Sequence, residues 1–306
     1  MRRDVGADGR RRASWPSAKG DAVRLSLYTA MRNCVKADYP FVEMLRHHLP
    51  LVDEVIVNEG HSTDGTFERI QGIDPKIKIF RSQWDRPQGE NWWIHFKDAA
   101  RRQCTGDWCL HLDCDEFVPE WQFDDIRQHL TGTAEEMVPV EFVNFYANYR
   151  VYHPNPLKAR WVTKKMIIHR NTDRFEFWGD GSNLKLRGET FRWDTSSRLF
   201  TVHHFGSVRN AARLRESWWL AGRFRSGRSV RVRPPSFVFD LFPHDWRDAD
   251  FLDDLAIYDG PVIKAVRDNP DRFVRDGMVL FELLRSRSLD RTDERTSDGT
   301  GSVSAP

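Results

Sequence analysis

Residues 109–117 read CLHLDCDEF, which puts three acids, Asp113, Asp115 and Glu116, into four positions directly after an apolar run. On an extended segment, side chains two apart project from one face, so Asp113 and Asp115 can present their carboxylates together. Like charges gathered in this way raise one another's pKa unless a cation neutralises them. A divalent metal with mostly oxygen ligands does that, and a bound diphosphate would supply further oxygens. A competing reading is structural: Asp115 and Glu116 could open the helical segment FVPEWQFDDIRQHL as a solvated, capped turn. The acidic motif taken alone leaves both readings open, and its place at a strand end favours the metal.

The elements that must position these acids follow from hydrophobic patterning. VRLSLYTAM (23–31), DEVIVNE (53–59), KIKIF (76–80) and DWCLHLD (107–113) read as strands. YPFVEMLRHHLPLV (39–52), the segment after STDGT with Asp64 capping a start at Gly65, and GENWWIHFKDAARRQC (89–104) read as helices between them. This β-α-β-α-β-α-β order predicts an α/β fold with a mostly parallel central sheet and helices on both faces. In such sheets ligands bind at the carboxyl ends of the strands. Glu59 closes one strand there, and Asp113, Asp115 and Glu116 close another. The second half is less regular. MVPVEFVNFYANYRVY (137–152), KKMIIHR (164–170) and LFTVHHFGSVR (199–209) read as strands of an appended, smaller antiparallel part, with helical stretches near 210–225 and 245–270.

Composition narrows the class. The chain has 306 residues, about 40% hydrophobic and 30% charged, with a formal net charge of +2. This suits a globular domain and is too mild to argue for a nucleic-acid partner. No run reaches the apolar length of a membrane span, and the basic start MRRDVGADGRRR lacks a following apolar signal core. Four cysteines, Cys34, Cys104, Cys109 and Cys114, fit a reduced compartment better than a disulfide framework. The expected location is therefore cytoplasmic, with at most a peripheral contact at the inner face of the membrane through the Arg-bearing tails. Residues 1–22 read as a disordered basic arm and 284–306 as a disordered tail, leaving 23–283 as one domain.

Three stretches in order, VDEVIVNEGHSTDGT (52–66), GDWCLHLDCDEF (106–117) and VHHFGSVR (202–209), resemble the family 2 glycosyltransferases of GT-A fold. The resemblance covers about residues 24–120, with a short echo at 199–209. It implies a nucleotide-sugar-binding half at 23–120 and an acceptor-side half at 121–283. It also implies an inverting, metal-dependent transfer of sugar from a nucleoside-diphosphate donor (UDP, GDP or dTDP) to a glycan, lipid-linked or small-molecule acceptor. By the same resemblance, Asp113 and Asp115 form the D-x-D pair holding Mn2+ or Mg2+, with Asp115 the direct ligand and Asp113 touching metal or ribose. Glu59 takes the place of the acid that contacts the nucleotide. His204, before the aromatic-Gly step, completes the metal shell in preference to His203, and Mn2+ accepts such mixed oxygen and nitrogen ligation. One departure is Gly60, where many members carry a second Asp.

Transfer of a sugar needs the leaving diphosphate neutralised and, for inversion, a base for the acceptor proton. Asp180, in the Gly-flanked turn of FEFWGDGSNLKLRG (175–188), is the expected base ahead of Glu176 and Glu189, although GDG is equally a hairpin-turn signal. Trp178 beside it is the expected acceptor contact, since indole faces stack on sugar rings. Arg209 and Arg86 are candidate diphosphate contacts, and Asn91 is either a helix cap or a site residue. A sugar nucleotidyltransferase would need a Gly-rich loop after the first strand, where this chain has TAMRNC. A haloacid-type phosphatase would place D-x-D at its first strand. The remaining rival is a non-catalytic sugar- or nucleotide-binding module that keeps the fold.

Overall fold

A computed structural model describes residues 23–84, 93–154, 164–178, 181, 183–190, 200–209 and 255–274. Four strands form the parallel half of the main sheet: β1 (Leu25–Met31), β2 (Glu54–Glu59), β3 (Ile77–Arg81) and β4 (Trp108–His111). Their order is β4-β1-β2-β3, with Met31 beside Glu59, Glu59 beside Arg81, and Tyr28 beside His111. The chain steps to one side of β1 for β2 and to the other for β4. Such a reversal opens a crevice at the carboxyl edge, where strands on either side of the switch send their loops.

Strict alternation along β1 and β2 builds two apolar layers. Leu25, Leu27, Val55 and Val57 face a core shared with Phe41, Met44 and Leu45 of α1 (Phe41–His48) and with Ile70 of α2 (Thr66–Ile70). Ile126 and Leu130 of α4 (Phe123–Gly132) join the same layer. Tyr28 and Ile56 face the opposite layer, where α3 (Trp93–Arg101) contributes Ala100. The sheet is thus covered on both faces, as the strand–helix alternation predicts.

Beyond β4 the sheet turns antiparallel through β8 (Lys164–Arg170) and β6 (Met137–Tyr146), and β7 (Asn148–Tyr152) and β12 (Ala256–Ile257) extend that edge. The stretch 137–152 is therefore two strands, parted at Ala147, whose φ of 63° turns the chain. β9 (Phe175–Trp178) and β10 (Asn183–Leu186) form a separate two-stranded hairpin. β5 (Glu116–Phe117) pairs with β11 (Phe200–Ser207), which also runs parallel to β6.

Two local expectations are corrected, and one competing reading falls away. Helix α2 starts at Thr66, because Gly65 adopts a left-handed φ of 86° and serves as the residue before the first turn. Asp64 still accepts the Thr66 backbone N–H, at 3.1 Å. Asp115 and Glu116 open no helix, since Glu116 is in β5 and α4 begins only at Phe123. Within 255–270 the chain forms β12 and a short helix, α5 (Lys264–Asp268), in place of one long helix. Residues 1–22, 210–225 and 284–306 lie outside the described residues.

Candidate metal and diphosphate site

Two loops knit the carboxyl edge together. The turn after β2 is tied to the loop after β1: Asn33 N–H donates to Ser62 Oγ, Thr63 N–H to Asn33 Oδ1, and Lys36 N–H to Asp64 Oδ2. Glu59 lies beneath this turn, fully buried, and accepts from His61 N–H, Ser62 N–H and Arg81 Nε. The nucleotide contact implied for Glu59 thus meets a carboxylate already engaged by three donors. Gly60 has a steric cause. A Cβ there would lie 2.5 Å from the Trp84 ring, which itself stacks on Phe96 at 4.5 Å. An aspartate at this position would collide with that ring.

At the neighbouring edge, Asp115, Glu116 and His204 converge, with one potential ligand atom from each lying within 4.8 Å of the others. Strand pairing creates the cluster. Glu116 and His204 are cross-strand partners in the β5–β11 ladder, and Phe205 N–H donates to Asp115 C=O at 2.8 Å. His204 Nε2 lies 3.8 Å from Asp115 Oδ2. That is too long for a hydrogen bond. Gly206 forms the floor, since a Cβ there would stand 2.4 Å from His204 Nε2 and 3.1 Å from Asp115 Oδ2. His203 faces the other way, among Phe145, Phe205 and Tyr258, with the Tyr258 hydroxyl 3.3 Å from its Nε2.

Charge at this edge is unevenly balanced. Burial would raise the Asp113 pKa, but Lys97 outweighs it and holds that carboxyl well below the usual range. The Lys97 ammonium lies 2.8 Å from Asp113 Oδ1 and 3.1 Å from the carbonyl of Gly181. Glu116 is paired with Lys165 of β8, which stays charged in spite of burial because Glu116 and Asp113 face it. Among the described residues Asp115 makes no ion pair with a Lys or Arg, and burial followed by the Glu116 charge, against the pull of Arg209, pushes its pKa up to about 7. Burial pushes His204 down to about 3, so its ring is neutral near pH 7. A carboxylate that resists ionisation beside a neutral imidazole is a donor set that a divalent cation satisfies. The residues present fit such an ion, with Asp115 and His204 best placed and Glu116 adjoining.

The other expected site residues sit nearby or outside the described chain. Asp113 joins Lys97 and His111, not the three-residue cluster, with His111 Nε2 3.6 Å from Asp113 Oδ1. Arg209 is buried, donates Nε to Gly206 C=O at 2.8 Å and Nη1 to Ala37 C=O at 3.1 Å, and lies over the Tyr39 ring. Trp178 ends β9 with 43% of its surface exposed. Asp180, Arg86 and Asn91 lie outside the described residues. Gly181, between β9 and β10, has a φ of 79°, and its carbonyl meets the same Lys97 ammonium that pairs with Asp113. Glu176 pairs with Lys185 on the hairpin at 2.9 Å. Lys97, Lys165 and Asn144 were not legible as site residues, because isolated polar positions in a helix or strand carry no spacing signal.

No helix among the described residues is long and apolar enough to cross a membrane. No protein-family model matches the chain, and no curated protein matches it. Solved structures do. TarS residues 1–349 of S. aureus, in complex with UDP, is 18% identical with a TM-score of 0.35, over 48% of this chain and 47% of that one. Glucosyl-3-phosphoglycerate synthase of Mycobacterium tuberculosis, in complex with Mn2+, UDP and phosphoglyceric acid, is 21% identical with a TM-score of 0.30, over 42% and 45%. The mannosyltransferase PcManGT of Pyrobaculum calidifontis, in complex with GDP-Man and Mn2+, is 20% identical with a TM-score of 0.31, over 41% and 37%. The chain spans about half the length of the first of these. Sequence identity in these three comparisons does not exceed 21%.

Proposed function

We propose that the protein is a metal-dependent glycosyltransferase of GT-A type, which moves a sugar from a nucleoside-diphosphate donor to an acceptor hydroxyl or other nucleophile. The observation that carries this reading is the convergence of Asp115, Glu116 and His204 at the carboxyl edge of a switch-point sheet, with burial and the Glu116 charge raising the Asp115 pKa to about 7. Asp115 and His204 are the proposed ligands of Mn2+ or Mg2+, with Asp113 beside them facing donor ribose or metal. When bound, the cation supplies the positive charge that a departing diphosphate needs.

The chain's own residues do the rest. Lys97 keeps Asp113 ionised and the hairpin turn beside it. Arg209, already turned toward the loop after β1, supplies positive charge on the side where a diphosphate would lie. Trp178 offers an exposed indole face to an acceptor ring, and Asp180 in the same hairpin takes the acceptor proton. We place Glu59 behind the nucleotide, shaping the turn it would rest on. Inversion at the sugar is part of this proposal.

The test is Mn2+-dependent release of nucleoside diphosphate from a panel of UDP-, GDP- and dTDP-sugars, with and without simple glycoside acceptors. Release from one donor class, abolished by Asp115→Asn, is the expected result. Release from none of them would favour a sugar- or nucleotide-binding module. Membrane contact, where it occurs, would be peripheral, and liposome flotation of the full chain measures it.

A further inference from the structure

Opposite His204 in the sheet stands Asn144 of β6, its register partner in the parallel β6–β11 ladder. The His204 Nδ1 to Asn144 Oδ1 distance is 2.8 Å. An amide oxygen can only accept, so Nδ1 must carry the ring proton, and in a neutral imidazole Nε2 then presents its lone pair. Nε2 is the nitrogen that faces Asp115 Oδ2 across Gly206. Asn144 is 2% exposed, and its Nδ2 has no hydrogen-bond partner among the described residues. A buried amide kept at that cost, with its oxygen alone engaged, points to a task for the oxygen.

We propose that Asn144 is the positioning residue that makes His204 a metal ligand: its Oδ1 fixes the Nδ1–H tautomer and the ring plane, so that the Nε2 lone pair points at the cation position beside Asp115. This rests on the metal site described above. Neighbours of a ligating histidine that accept its second N–H fix its tautomer and raise its basicity, and their loss lowers metal affinity about 10- to 100-fold. Asn144 touches neither donor nor acceptor, and its effect on transfer passes through His204.

Two measurements on the full chain separate this inference from the reading beneath it. The first needs no metal. Long-range 1H–15N correlation spectra of the metal-free protein, assigned with His204→Gln, should place the proton of His204 on Nδ1. A proton on Nε2 would overturn the inference outright. The second is Mn2+ binding followed by the loss of the free-ion EPR signal, alone and with UDP or GDP present. His204→Ala should abolish specific binding, Asn144→Leu should weaken it about 10- to 100-fold, and Asn144→Asp, which keeps the acceptor, should restore it to within a few-fold of wild type. Should His204→Ala lose the ion while Asn144→Leu binds it as wild type does, the inference falls and the metal site stands. If wild type takes up no Mn2+ under either condition, both fall. If Asn144→Leu does not fold, Asn144→Asp and the wild-type spectrum still decide, because Asn144→Asp binding as weakly as His204→Ala would also contradict the proposal.

Discussion

A methyl group added at Gly206 would enter the space between His204 Nε2, 2.4 Å away, and Asp115 Oδ2, 3.1 Å away. Gly206→Ala should therefore remove metal binding at small cost to folding, measured as Mn2+ uptake beside thermal unfolding. Gly206 has no left-handed φ that would make alanine strained for another reason. The buried Lys165–Glu116 pair makes a different prediction, about stability. Removing one partner of a buried ion pair leaves a charge without compensation, which typically costs about 3–5 kcal/mol. Lys165→Met should lower the unfolding midpoint sharply, and the double variant Lys165→Met with Glu116→Gln should recover much of the loss. Equal midpoints for the single and double variants would contradict this view of the pair. At this scale the sequence told only part of the story. Asp115 was singled out by its acidic motif at a strand end and His204 by the family resemblance, and the fold brings their side chains together. The partners that set their charge and tautomer were not legible, because Asn144 and Lys165 come from strands whose register cannot be read from local pattern.

At the scale of elements, short β-rich apolar runs and helical patterning located β1 to β4 and α1 to α3 to within a few residues, since the central strands are buried along their length and the helices bury one face. The two-residue strand β5 escaped, since a pair as short as Glu116–Phe117 has no period and exists only through its partner β11, more than eighty positions on. The same pairing delivers His204 to the acids. A second element-scale device lies at the opposite edge of the sheet. Glu54 opens β2 and binds Ser26 Oγ of β1, Thr105 N–H and Oγ of the turn before β4, and Lys78 of β3. Burial opposes its ionisation, but Lys78, Ser26 and Thr105 prevail and hold its pKa at about 2, below the ordinary 4.5. A depressed carboxylate stabilises the fold fully above its unfolded pKa and loses that contribution as pH falls through its folded value. Stability should therefore decline between about pH 5 and pH 2, by on the order of 1–3 kcal/mol from this group, with the exposed end of Lys78 screened by salt. Urea unfolding against pH checks this, and Glu54→Gln should flatten that part of the curve.

For the whole molecule, residues 255–274 return to the body of the fold as a brace behind the site. β12 pairs with β7, Arg272 meets Asp38 in the loop after β1, and Arg267 meets Glu120. Phe273 is fully buried and packs edge-on against Phe117 and Phe205, the rings flanking the β5–β11 pairing. Phe273→Ala should cost about 3–5 kcal/mol and loosen the edge that carries Asp115 and His204. Denaturant unfolding reads the first effect and Mn2+ affinity the second. No local pattern marks Phe273 as core, because what it covers lies about 70 and 155 positions earlier in the chain. The central claim, that this edge holds a metal and a diphosphate together, has a direct measurement. Thermal unfolding of wild type and Asp115→Asn should be followed with UDP, GDP and dTDP, each with and without Mn2+. A ligand at a hundred times its Kd adds about 2.7 kcal/mol, roughly several degrees in a domain of this size. One nucleotide should stabilise the wild type only when Mn2+ is present, and Asp115→Asn should lose that response. A well-folded wild type that responds to none of the three, or a variant that responds as wild type does, would contradict the claim.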